Sequence, residues 1–511
     1  MSVPIPALAE RAERAADRLV DADHVLLASH ADADGLTSAA VGAAALDRAG
    51  IPHDVTFEDQ LDDEVLERLA AEVEDVLLLT DFGSGQLDGI YAHCDPESTV
   101  VADHHQPLAP DAVPSDAQMV TPPDEASEAY ADAPYHVNPL LVGLDGAREC
   151  SGAGAAYAIA RALGELTAES AEPPALTADH AIQPGSEPDQ RNRDLAALAI
   201  VGAVGDRQEE DGELVGANVT IAAEGEAAGV LDVETDLAVY GTQTKPLPQL
   251  LAHADEIRVP GVATDRNAAA RFLDGLDLDL RTDGDWRRWA SLTPAERQAI
   301  TSALCQRAIQ RGVPADRIDE MVGTAYTLAG EATATQLRDA SEFATLLNAT
   351  ARYDRSAVGL AVCLGDREQA LADATDLLAE HRRNLSRGVS WVEETGVTVE
   401  SHCQWFDAGS EIPATIVGIV AGMAVGADGV DPSMPIVAFA DDDGEVKVSA
   451  RATGGLVRRG VDLSEAMAEA AAAVEGSGGG HTVAAGATIP AGTAESFVAN
   501  VDAVLAEQLA N

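Results

Sequence analysis

Residues able to bind metal ions occur in four short motifs, and each motif closes an apolar run. The motifs are residues 29–35 (SHADADG), Asp81, residues 103–105 (DHH) and Asp206. The apolar runs before them are residues 24–28, 76–80, 99–102 and 199–205. An open parallel sheet gathers its ligand-binding groups at the carboxyl ends of its strands. We therefore expect the four motifs to meet at one edge of such a sheet. Their carboxylates and imidazoles suit Mn²⁺ or Mg²⁺, and the histidines favour Mn²⁺.

A second set of motifs lies near the end of the chain. Residues 478–481 read GGGH, residues 484–486 read AAG, and residues 449–451 read SAR. Glycine permits positive φ and close approach of the backbone to a ligand. On its own the glycine run predicts a flexible turn, whereas together with His481 and the N-terminal acids it indicates a binding element.

The order and residue types of these motifs resemble the DHH phosphoesterase superfamily, and in particular its archaeal RecJ-like, single-strand-specific exonucleases. The resemblance covers most of the chain. The GGGH and SAR motifs resemble the C-terminal DHH-associated domain that completes the active site in this family, and residues 343–352 resemble the start of that domain. The resemblance implies hydrolysis of a phosphodiester with two divalent cations about 3.5 to 4 Å apart.

The resemblance also implies a role for each motif residue. Asp32 would hold one metal and Asp34 the other, Asp81 would bridge them, His104 and Asp206 would complete the second, and His30 would lie beside the first. Asp103 and His105 are implied as catalytic residues without direct ligation, since an Asp beside a metal can orient an imidazole and a His can contact the scissile phosphate.

The implied substrate contacts lie in the C-terminal domain, which would close a cleft over the metals. His481, implied as a catalytic residue, and Arg451 would contact the phosphate, with Ser449 and the backbone of Gly478, Gly479 and Gly480 beside them. A narrow cleft would admit a single strand more readily than a duplex.

The function implied is an exonuclease on single-stranded DNA, acting 5′ to 3′ in DNA repair or replication. One alternative is a phosphodiesterase that acts on RNA, short oligonucleotides or cyclic dinucleotides. Another is a replisome scaffold that binds GINS or other replicative helicase proteins, as a eukaryotic relative does after losing the catalytic acids. Those acids are intact here, so a scaffold role would be additional to catalysis.

The chain is strongly acidic, with a formal net charge of −55 over 511 residues, and Lys245 and Lys447 are its only lysines. Because the acids are dispersed, we interpret them as a solvated surface adapted to high salt, as in a halophile. At about 1 M salt the Debye length is only ~3 Å, so distant charges hardly repel each other.

Nucleic-acid binding normally draws affinity from counterion release by a basic surface, which this chain lacks overall. Arginines do collect in the C-terminal third, and arginine suits forked phosphate contacts. They are Arg352, Arg355, Arg382, Arg383, Arg387, Arg451, Arg458 and Arg459.

Cysteine use and hydropathy indicate a soluble cytoplasmic protein. The five cysteines are widely spaced with no Cys-x-x-Cys pair, which favours reduced residues over a disulfide framework or a zinc site. Residues 1–15 lack the apolar core of a signal peptide. No apolar run approaches the length of a membrane span.

The expected fold class is α/β. A mainly parallel-sheet metal-binding domain is predicted at residues 1–225, a helical linker or insertion at 226–340, and a smaller α/β substrate-binding domain at 341–511. Strand-like runs nearly vanish between residues 246 and 340, where Thr293, Pro294 and Glu296 predict a capped helix start. Further strands are predicted at 357–364, 436–440 and 446–450, and further helices at 36–48, 151–163 and 463–474.

Overall fold

The computed structural model describes residues 5–107, 133–169, 175–254, 258–442 and 444–510. The chain forms two compact units, Met1–Thr375 and Asp376–Asn511. The domain boundaries predicted after residues 225 and 340 both fall within the first unit and stay predictions.

A five-stranded parallel sheet organises the first part of the chain, as predicted. Its strands have the order β2-β1-β3-β4-β5. The inner strands β1, β3 and β4 are almost wholly buried, which explains their continuous apolar sequences, since helices cover both faces of a parallel sheet. The bounds are β1 Val25–His30, β2 His53–Glu58, β3 Val76–Thr80, β4 Thr99–Ala102 and β5 His136–Val137.

Helices make up most of the rest of the first unit. The α-helices are Ala9–Val20, Ala33–Ala49, Asp63–Glu72, Leu87–His93, Gly152–Glu169, Ala196–Gly205, Ala217–Ala227, Leu247–Ala252, Arg266–Asp274, Pro294–Gln310, Ala315–Asp319, Ala340–Ala351 and Ser356–Cys363. Short 3₁₀ turns are Pro6–Leu8, Ser84–Gln86, Pro96–Ser98, Pro139–Val142, Ala178–His180, Arg193–Leu195, Trp289–Ser291 and Gln336–Arg338.

Two apolar runs expected to behave as strands are helical instead. Residues 199–205 lie in the helix Ala196–Gly205, and the strand predicted at 357–364 is the helix Ser356–Cys363. Periodicity cannot separate a buried strand from a buried helix in a short, uniformly apolar run. The alanine content of both segments favours the helix.

The middle of the chain contains more strand than expected. β8 (Leu231–Leu237) pairs antiparallel with β11 (Val322–Leu328), so the prediction that strands nearly vanish there was wrong for β11. Two short hairpins also occur: β6 Glu209–Glu210 with β7 Glu213–Leu214 before this pair, and β9 Arg281–Thr282 with β10 Asp285–Trp286 between its two strands in sequence. The sequence VGTAYTL of β11 is not strongly apolar, which is why its pattern did not predict a strand.

The predicted helix start at Pro294 is confirmed. The Thr293 hydroxyl accepts a hydrogen bond from the backbone N–H of Glu296 (3.3 Å), and the Glu296 carboxylate accepts one from the backbone N–H of Thr293 (2.7 Å). This reciprocal pair satisfies two N–H groups that a helix terminus would otherwise leave unpaired.

The second unit contains a six-stranded sheet of order β12-β13-β14-β15-β17-β16. The helices Leu463–Ala472 and Ala494–Ala510 pack on one face, and Ala414–Ala424 packs on the other. The bounds are β12 Thr398–Val399, β13 Gln404–Asp407, β14 Ile436–Asp442, β15 Glu445–Arg451, β16 Ser477–Gly480 and β17 Ala484–Pro490. The remaining helices are Gln369–Thr395, which crosses the boundary between the units, and Gly454–Val457.

The strands predicted at 436–440 and 446–450 and the helix predicted at 463–474 are confirmed by β14, β15 and Leu463–Ala472. The glycine run, taken alone, predicted a flexible turn. Residues 477–480 instead form the edge strand β16.

The five cysteines are free thiols, four of them buried, as expected. Among the helices that the structure describes, none is long and apolar enough to cross a membrane.

A buried ion pair anchors the C-terminal end of the helix Ala33–Ala49. The two terminal nitrogens of the Arg48 guanidinium group, Nη1 and Nη2, each donate to the Asp194 carboxylate at 2.7 Å. The side chains of Arg48 and Asp194 are each 4 % exposed. Arg48 also donates to the Asn192 side chain (3.1 Å) and to the His180 carbonyl (2.9 Å). Because Asp32 and Asp34 lie at the other end of this helix, the ion pair fixes the element that carries them.

Replacing Arg48 with Met should lower the free energy of unfolding by about 3 kcal/mol, since it leaves the Asp194 carboxylate buried without a counter-charge. Urea unfolding at a fixed KCl concentration measures the change. The double variant Arg48→Met/Asp194→Asn, which removes both charges, should recover part of the loss. Equal stability of Arg48→Met and the wild type would contradict this account.

Candidate metal centre

Three of the four predicted motifs lie at the carboxyl edge of the parallel sheet. His30 ends β1, Asp81 follows β3, and Asp103 follows β4. The pairings of Ser29 with Thr80 and of Thr80 with Ala102 bring the three strand ends side by side. The sheet edge therefore gathers these motifs as the sequence predicted.

The fourth motif reaches the same place by a different route. Asp206 lies at the C-terminal end of the helix Ala196–Gly205, where its N–H donates to the Gly202 carbonyl at 2.8 Å. A Cβ atom added at Gly202 would overlap the Asp34 carboxylate and the Thr37 hydroxyl. This helix can therefore approach the sheet edge closely enough to present Asp206 because residue 202 lacks a side chain.

The spacing of Asp32 and Asp34 comes from the start of a helix. The Asp32 carboxylate caps the helix Ala33–Ala49 by accepting from the Gly35 N–H (2.9 Å), and Asp34 lies in the first turn. Thr37 lies inside this helix, and its hydroxyl donates to the Ala33 carbonyl (2.9 Å). A Cβ atom at Gly35 would overlap the carbonyl oxygen of His30, so only glycine lets the helix begin so close to β1.

All six residues predicted as metal ligands come together, along with His105. Their donor atoms form three overlapping groups, each within 4.8 Å. The groups are His30, Asp32 and Asp81; Asp34, His104 and Asp206; and Asp81, His104 and His105. Asp81 is shared between the group containing Asp32 and one containing His104, which is the position of a bridging ligand.

The Asp81 carboxylate is the most deeply constrained group of the cluster. The residue is 1 % exposed, and both carboxylate oxygens are buried without a hydrogen bond. The nearest cationic atoms are His104 Nε2, 3.3 Å from Oδ1, and His30 Nδ1, 3.6 Å from Oδ2. Asp81 also adopts a positive φ of 63°, which a non-glycine residue keeps only where its surroundings enforce it.

The donor set fits divalent cations. A buried carboxylate without hydrogen bonds is costly, and cations bound by these groups of donors would neutralise its charge. Carboxylate oxygens with one or two imidazoles per group are the ligands expected for Mn²⁺.

Hydrogen bonds fix the ring orientation of His104. Its Nδ1 donates to the Gly146 carbonyl (2.7 Å), which leaves Nε2 directed at the acids. Gln208 donates to the same carbonyl (2.8 Å) and to the Asp206 carboxylate (3.0 Å). Outer partners of this kind set the tautomer and position of a ligating histidine. Neither Gln208 nor Gly146 belongs to a motif, so sequence reasoning did not identify them.

Asp103 is not itself a member of the donor groups, but it holds two of their members, His104 and His105, by hydrogen bonds. Its buried carboxylate accepts from the N–H of Ser84 (2.8 Å), His104 (2.7 Å) and His105 (3.1 Å), and from His105 Nδ1 (2.8 Å). Asn138 braces the same loop by donating to the His105 carbonyl (2.9 Å) and to the Ser84 hydroxyl (2.8 Å). These contacts agree with the predicted orienting role of Asp103, whereas Ser84 and Asn138 were not identified from sequence.

The helix Gly152–Glu169 begins against the Asp34 carboxylate. The N–H groups of Gly152 and Ala153 donate to its two oxygens at 2.7 and 3.0 Å. A Cβ atom at Gly152 would overlap Asp81. The partial positive charge of a helix N-terminus favours a carboxylate there, so this helix helps to hold the acidic cluster together.

The ionisation of the cluster is shared unequally in the metal-free protein. Burial opposes charge on His30, but the carboxylates of Asp32 and Asp81 outweigh it and raise the His30 pKa to about 11. Burial likewise opposes charge on His104, whose pKa is nevertheless raised by Asp81. Burial raises the pKa of Asp206 to about 6, with repulsion from Asp81 adding to it. Protons thus take the positions that cations would otherwise fill.

The motifs of the second unit share one end of its sheet. In the registers of β15, β17 and β16, Ser449 pairs with Gly486, Gly486 with Gly479, and Arg451 with Ala484. The His481 N–H donates to the Ala484 carbonyl at 2.9 Å, and the His481 side chain is exposed. Gly479 has open space where a Cβ would lie. Ser449 and Arg451 face the helix Ala414–Ala424, where a Cβ atom at Gly418 would overlap their side chains, whereas Gly478 faces the helix Leu463–Ala472. The predicted substrate-binding residues Ser449, Arg451, Gly478, Gly479, Gly480 and His481 therefore share one end of the sheet but not one face of it.

Three family models match successive parts of the chain. Residues 24–183 match the DHH family, N-terminal domain, residues 239–322 match the DHH-CID domain, and residues 398–507 match the DHHA1 domain. The first match contains the motifs from His30 to His105, and the third contains Ser449, Arg451 and the GGGH motif.

A curated relative, an uncharacterized protein of Methanocaldococcus jannaschii, is 25 % identical over 489 residues, which are 95 % of this chain and 94 % of the relative. The fold resembles RecJ from Thermus thermophilus in complex with Mn²⁺ (TM-score 0.56, 18 % identity, 99 % of this chain and 55 % of that chain). It also resembles exonuclease RecJ bound to manganese (TM-score 0.55, 17 %, 99 % and 96 %) and Cdc45 from Entamoeba histolytica (TM-score 0.56, 10 %, 96 % and 97 %). The chain therefore matches three DHH-type domain models in succession, and it shares its fold with the RecJ and Cdc45 structures.

Mn²⁺ binding should release protons at neutral pH, because the pKa of His30 is raised to about 11 and the pKa of His104 is also raised, and a ligating imidazole must be neutral. Since raised pKa values mean that protons compete for these nitrogens, Mn²⁺ affinity should fall as the pH falls. Titration calorimetry in two buffers of different ionisation enthalpy counts the protons released.

Two histidine variants make this measurement specific. His30→Gln should lower the number of protons released by about one. His24→Gln removes a histidine that lies just before β1 and faces Asp54, and it should leave the number unchanged. Mn²⁺ binding without proton release would contradict ligation by the imidazoles.

Proposed function

We propose that this DHH-superfamily, RecJ-like protein is a two-metal phosphodiester hydrolase that degrades single-stranded DNA as an exonuclease, 5′ to 3′, in DNA repair or replication. The observation that supports hydrolysis most directly is that Asp81 belongs to two groups of possible metal ligands. One buried carboxylate whose oxygens accept no hydrogen bond stands between two sets of carboxylate and imidazole donors. The manganese bound in two RecJ structures of the same fold supports Mn²⁺ as the cation.

Each cation would have its own set of ligands, with Asp81 common to both. His30, Asp32 and Asp81 would hold one cation, and Asp34, His104, Asp206 and the shared Asp81 the other. Two divalent cations supply an activated water and neutralise charge on the phosphoryl oxygens.

His105 is placed to contact the substrate. Its side chain is 55 % exposed, and its Nδ1 is held by Asp103. The hydrogen bond to Asp103 raises the pKa of His105, which favours the ring form that carries a proton on each nitrogen. Nε2–H would then donate to an oxygen of the scissile phosphate, while Asp103 keeps the ring in position.

Substrate capture would depend on the second unit. Arg451 and His481 would contact phosphate, and the open surface at Gly479 would allow a close approach of the strand backbone. Single-stranded DNA is the proposed substrate because the family resemblance favours it. Binding to replication proteins such as GINS is proposed on the same resemblance, with the Cdc45 fold as support.

The function is tested with DNA and RNA strands of one sequence, each labelled at the 5′ or 3′ end, in Mn²⁺ and about 1 M KCl. The wild type should release mononucleotides from the 5′ end of DNA. Asp81→Ala should lower the rate at least about a hundredfold, since both cations lose a ligand. Its fold stability should change little, because removing one carboxylate relieves repulsion among the acids.

A matched control is Asp54→Ala, which removes an exposed carboxylate from β2 of the same sheet. This variant should cleave as the wild type does. Unchanged turnover of Asp81→Ala would exclude the two-metal assignment. Cleavage of the RNA strand but not of the DNA strand would show that the substrate is RNA.

We also propose that the dispersed acidity is an adaptation to high salt. Unfolding temperature and strand cleavage should therefore rise together between about 0.1 M and 1 M KCl, over which the Debye length falls from ~10 Å to ~3 Å. Thermal unfolding and cleavage rates across a KCl series measure both. Maxima of stability and activity near the lowest salt would contradict the proposal and point to a basic partner.

A further inference from the structure

Acidic residues are absent from two segments of the second unit. Residues 446–461 and 476–494 contain no Asp or Glu, although the whole chain carries 87 acids in 511 residues. At that density these 35 residues would carry about six acids. The same segments contain Lys447, Arg451, Arg458, Arg459 and His481. Basic side chains are therefore concentrated here without carboxylates among them.

The fold brings the two segments together. Residues 452–463, which we call the arginine loop, follow β15 and are joined at both ends to the turn between β16 and β17. The Ala452 N–H donates to the Val483 carbonyl (2.9 Å), and the Leu463 N–H donates to the Thr482 carbonyl (3.2 Å). Arg458 and Arg459 thus lie at the end of the sheet that carries Arg451 and His481.

Arg458 and Arg459 are exposed, and neither forms an ion pair with any residue that the structure describes. In the first unit, by contrast, guanidinium groups commonly pair with carboxylates, as Arg161 does with Glu224 and Arg367 with Glu331. Two adjacent unpaired arginines in so acidic a chain keep their charge available for an external anion.

Asp462, the one acid within the arginine loop, and Glu465, which follows the loop in sequence, are already engaged in hydrogen bonds. Asp462 caps the helix Leu463–Ala472 by accepting from the N–H of Ser464 (2.9 Å), and Glu465 accepts from the Gln508 side chain (2.8 Å). The exposed acids Asp442 and Glu445 lie at the opposite end of the β14–β15 pair. The charge of the unit is therefore segregated along its sheet.

We propose that Arg458 and Arg459 bind two backbone phosphates of a single DNA strand, next to the phosphate assigned to Arg451 and His481. This inference rests on the proposed function for the identity of the strand. Each guanidinium presents a planar fork that matches phosphate geometry. Val483, 43 % exposed at the neighbouring turn, offers an apolar contact for a sugar or base between the phosphates.

The test measures the affinity of the full chain for a long fluorescent oligo(dT) in EDTA. Fluorescence anisotropy reports the binding at each concentration of a KCl series. Arg458→Gln/Arg459→Gln should weaken binding and make the slope of log affinity against log salt shallower by about 1.4, which is about 0.7 for each lost single-strand phosphate contact. Cleavage of a thymidine dinucleotide in Mn²⁺ should stay unchanged, because this substrate lacks the outer phosphates.

A matched control is Arg266→Gln/Arg317→Gln, which removes the same charge from two exposed arginines of the first unit. This variant should keep the wild-type slope. An unchanged slope in Arg458→Gln/Arg459→Gln would overturn the inference even if the wild type binds and cleaves, and the proposed function would then stand alone. The opposite result is also informative. If Arg458→Gln/Arg459→Gln shows the expected change of slope but the wild type hydrolyses no strand, the inference is supported and the proposed function is overturned.

Discussion

Burial of the Asp81 carboxylate among other acids is the constraint around which the elements of the first unit are arranged. Like charges in a protein interior repel strongly, and a buried carboxylate without hydrogen bonds has lost its hydration without compensation. The fold tolerates this arrangement because imidazoles surround Asp81 and because a helix N-terminus holds its neighbour Asp34. Divalent cations would complete the compensation.

Close backbone approach makes this arrangement possible. Gly35, Gly152 and Gly202 each lie where a side chain would overlap the site or the strand beside it. The helices that begin or pass there can therefore place their ends within reach of the sheet edge. The acids are thus positioned by the absence of side chains at three places as much as by the strands that carry them.

Sequence motifs predicted the composition of the site better than its construction. The apolar runs before His30, Asp81 and Asp103 are rich in leucine or valine, and they form the expected parallel strands. The run before Asp206 is rich in alanine and glycine, and its periodicity could not distinguish the helix that it forms. Asp206 nevertheless lies beside Asp34 and His104. The motif specified the residue, whereas tertiary packing determined which element positions it.

Other contributors were invisible to motif reasoning for a physical reason. Gln208 and Asn138 act through hydrogen bonds to carbonyl groups far away in sequence, and nothing in their local sequence encodes those partners. The strand β11 was missed because its half-buried residues are small and polar. The glycine run 478–480 was expected as a turn on its own terms, yet pairing with β17 orders it as a strand.

The segregation of charge has a kinetic consequence for a protein that acts on nucleic acid. A basic protein finds its target partly by sliding, because its whole surface is attracted to phosphate at any sequence. Here most of the surface repels phosphate, and the exposed pair Arg458 and Arg459 lies at one end of one unit, away from the acids Asp442 and Glu445. Encounters with the interior of a duplex would be brief, and each search would proceed through free diffusion until an accessible strand meets that end of the molecule. Such an enzyme would spend little time bound to intact chromosomal DNA.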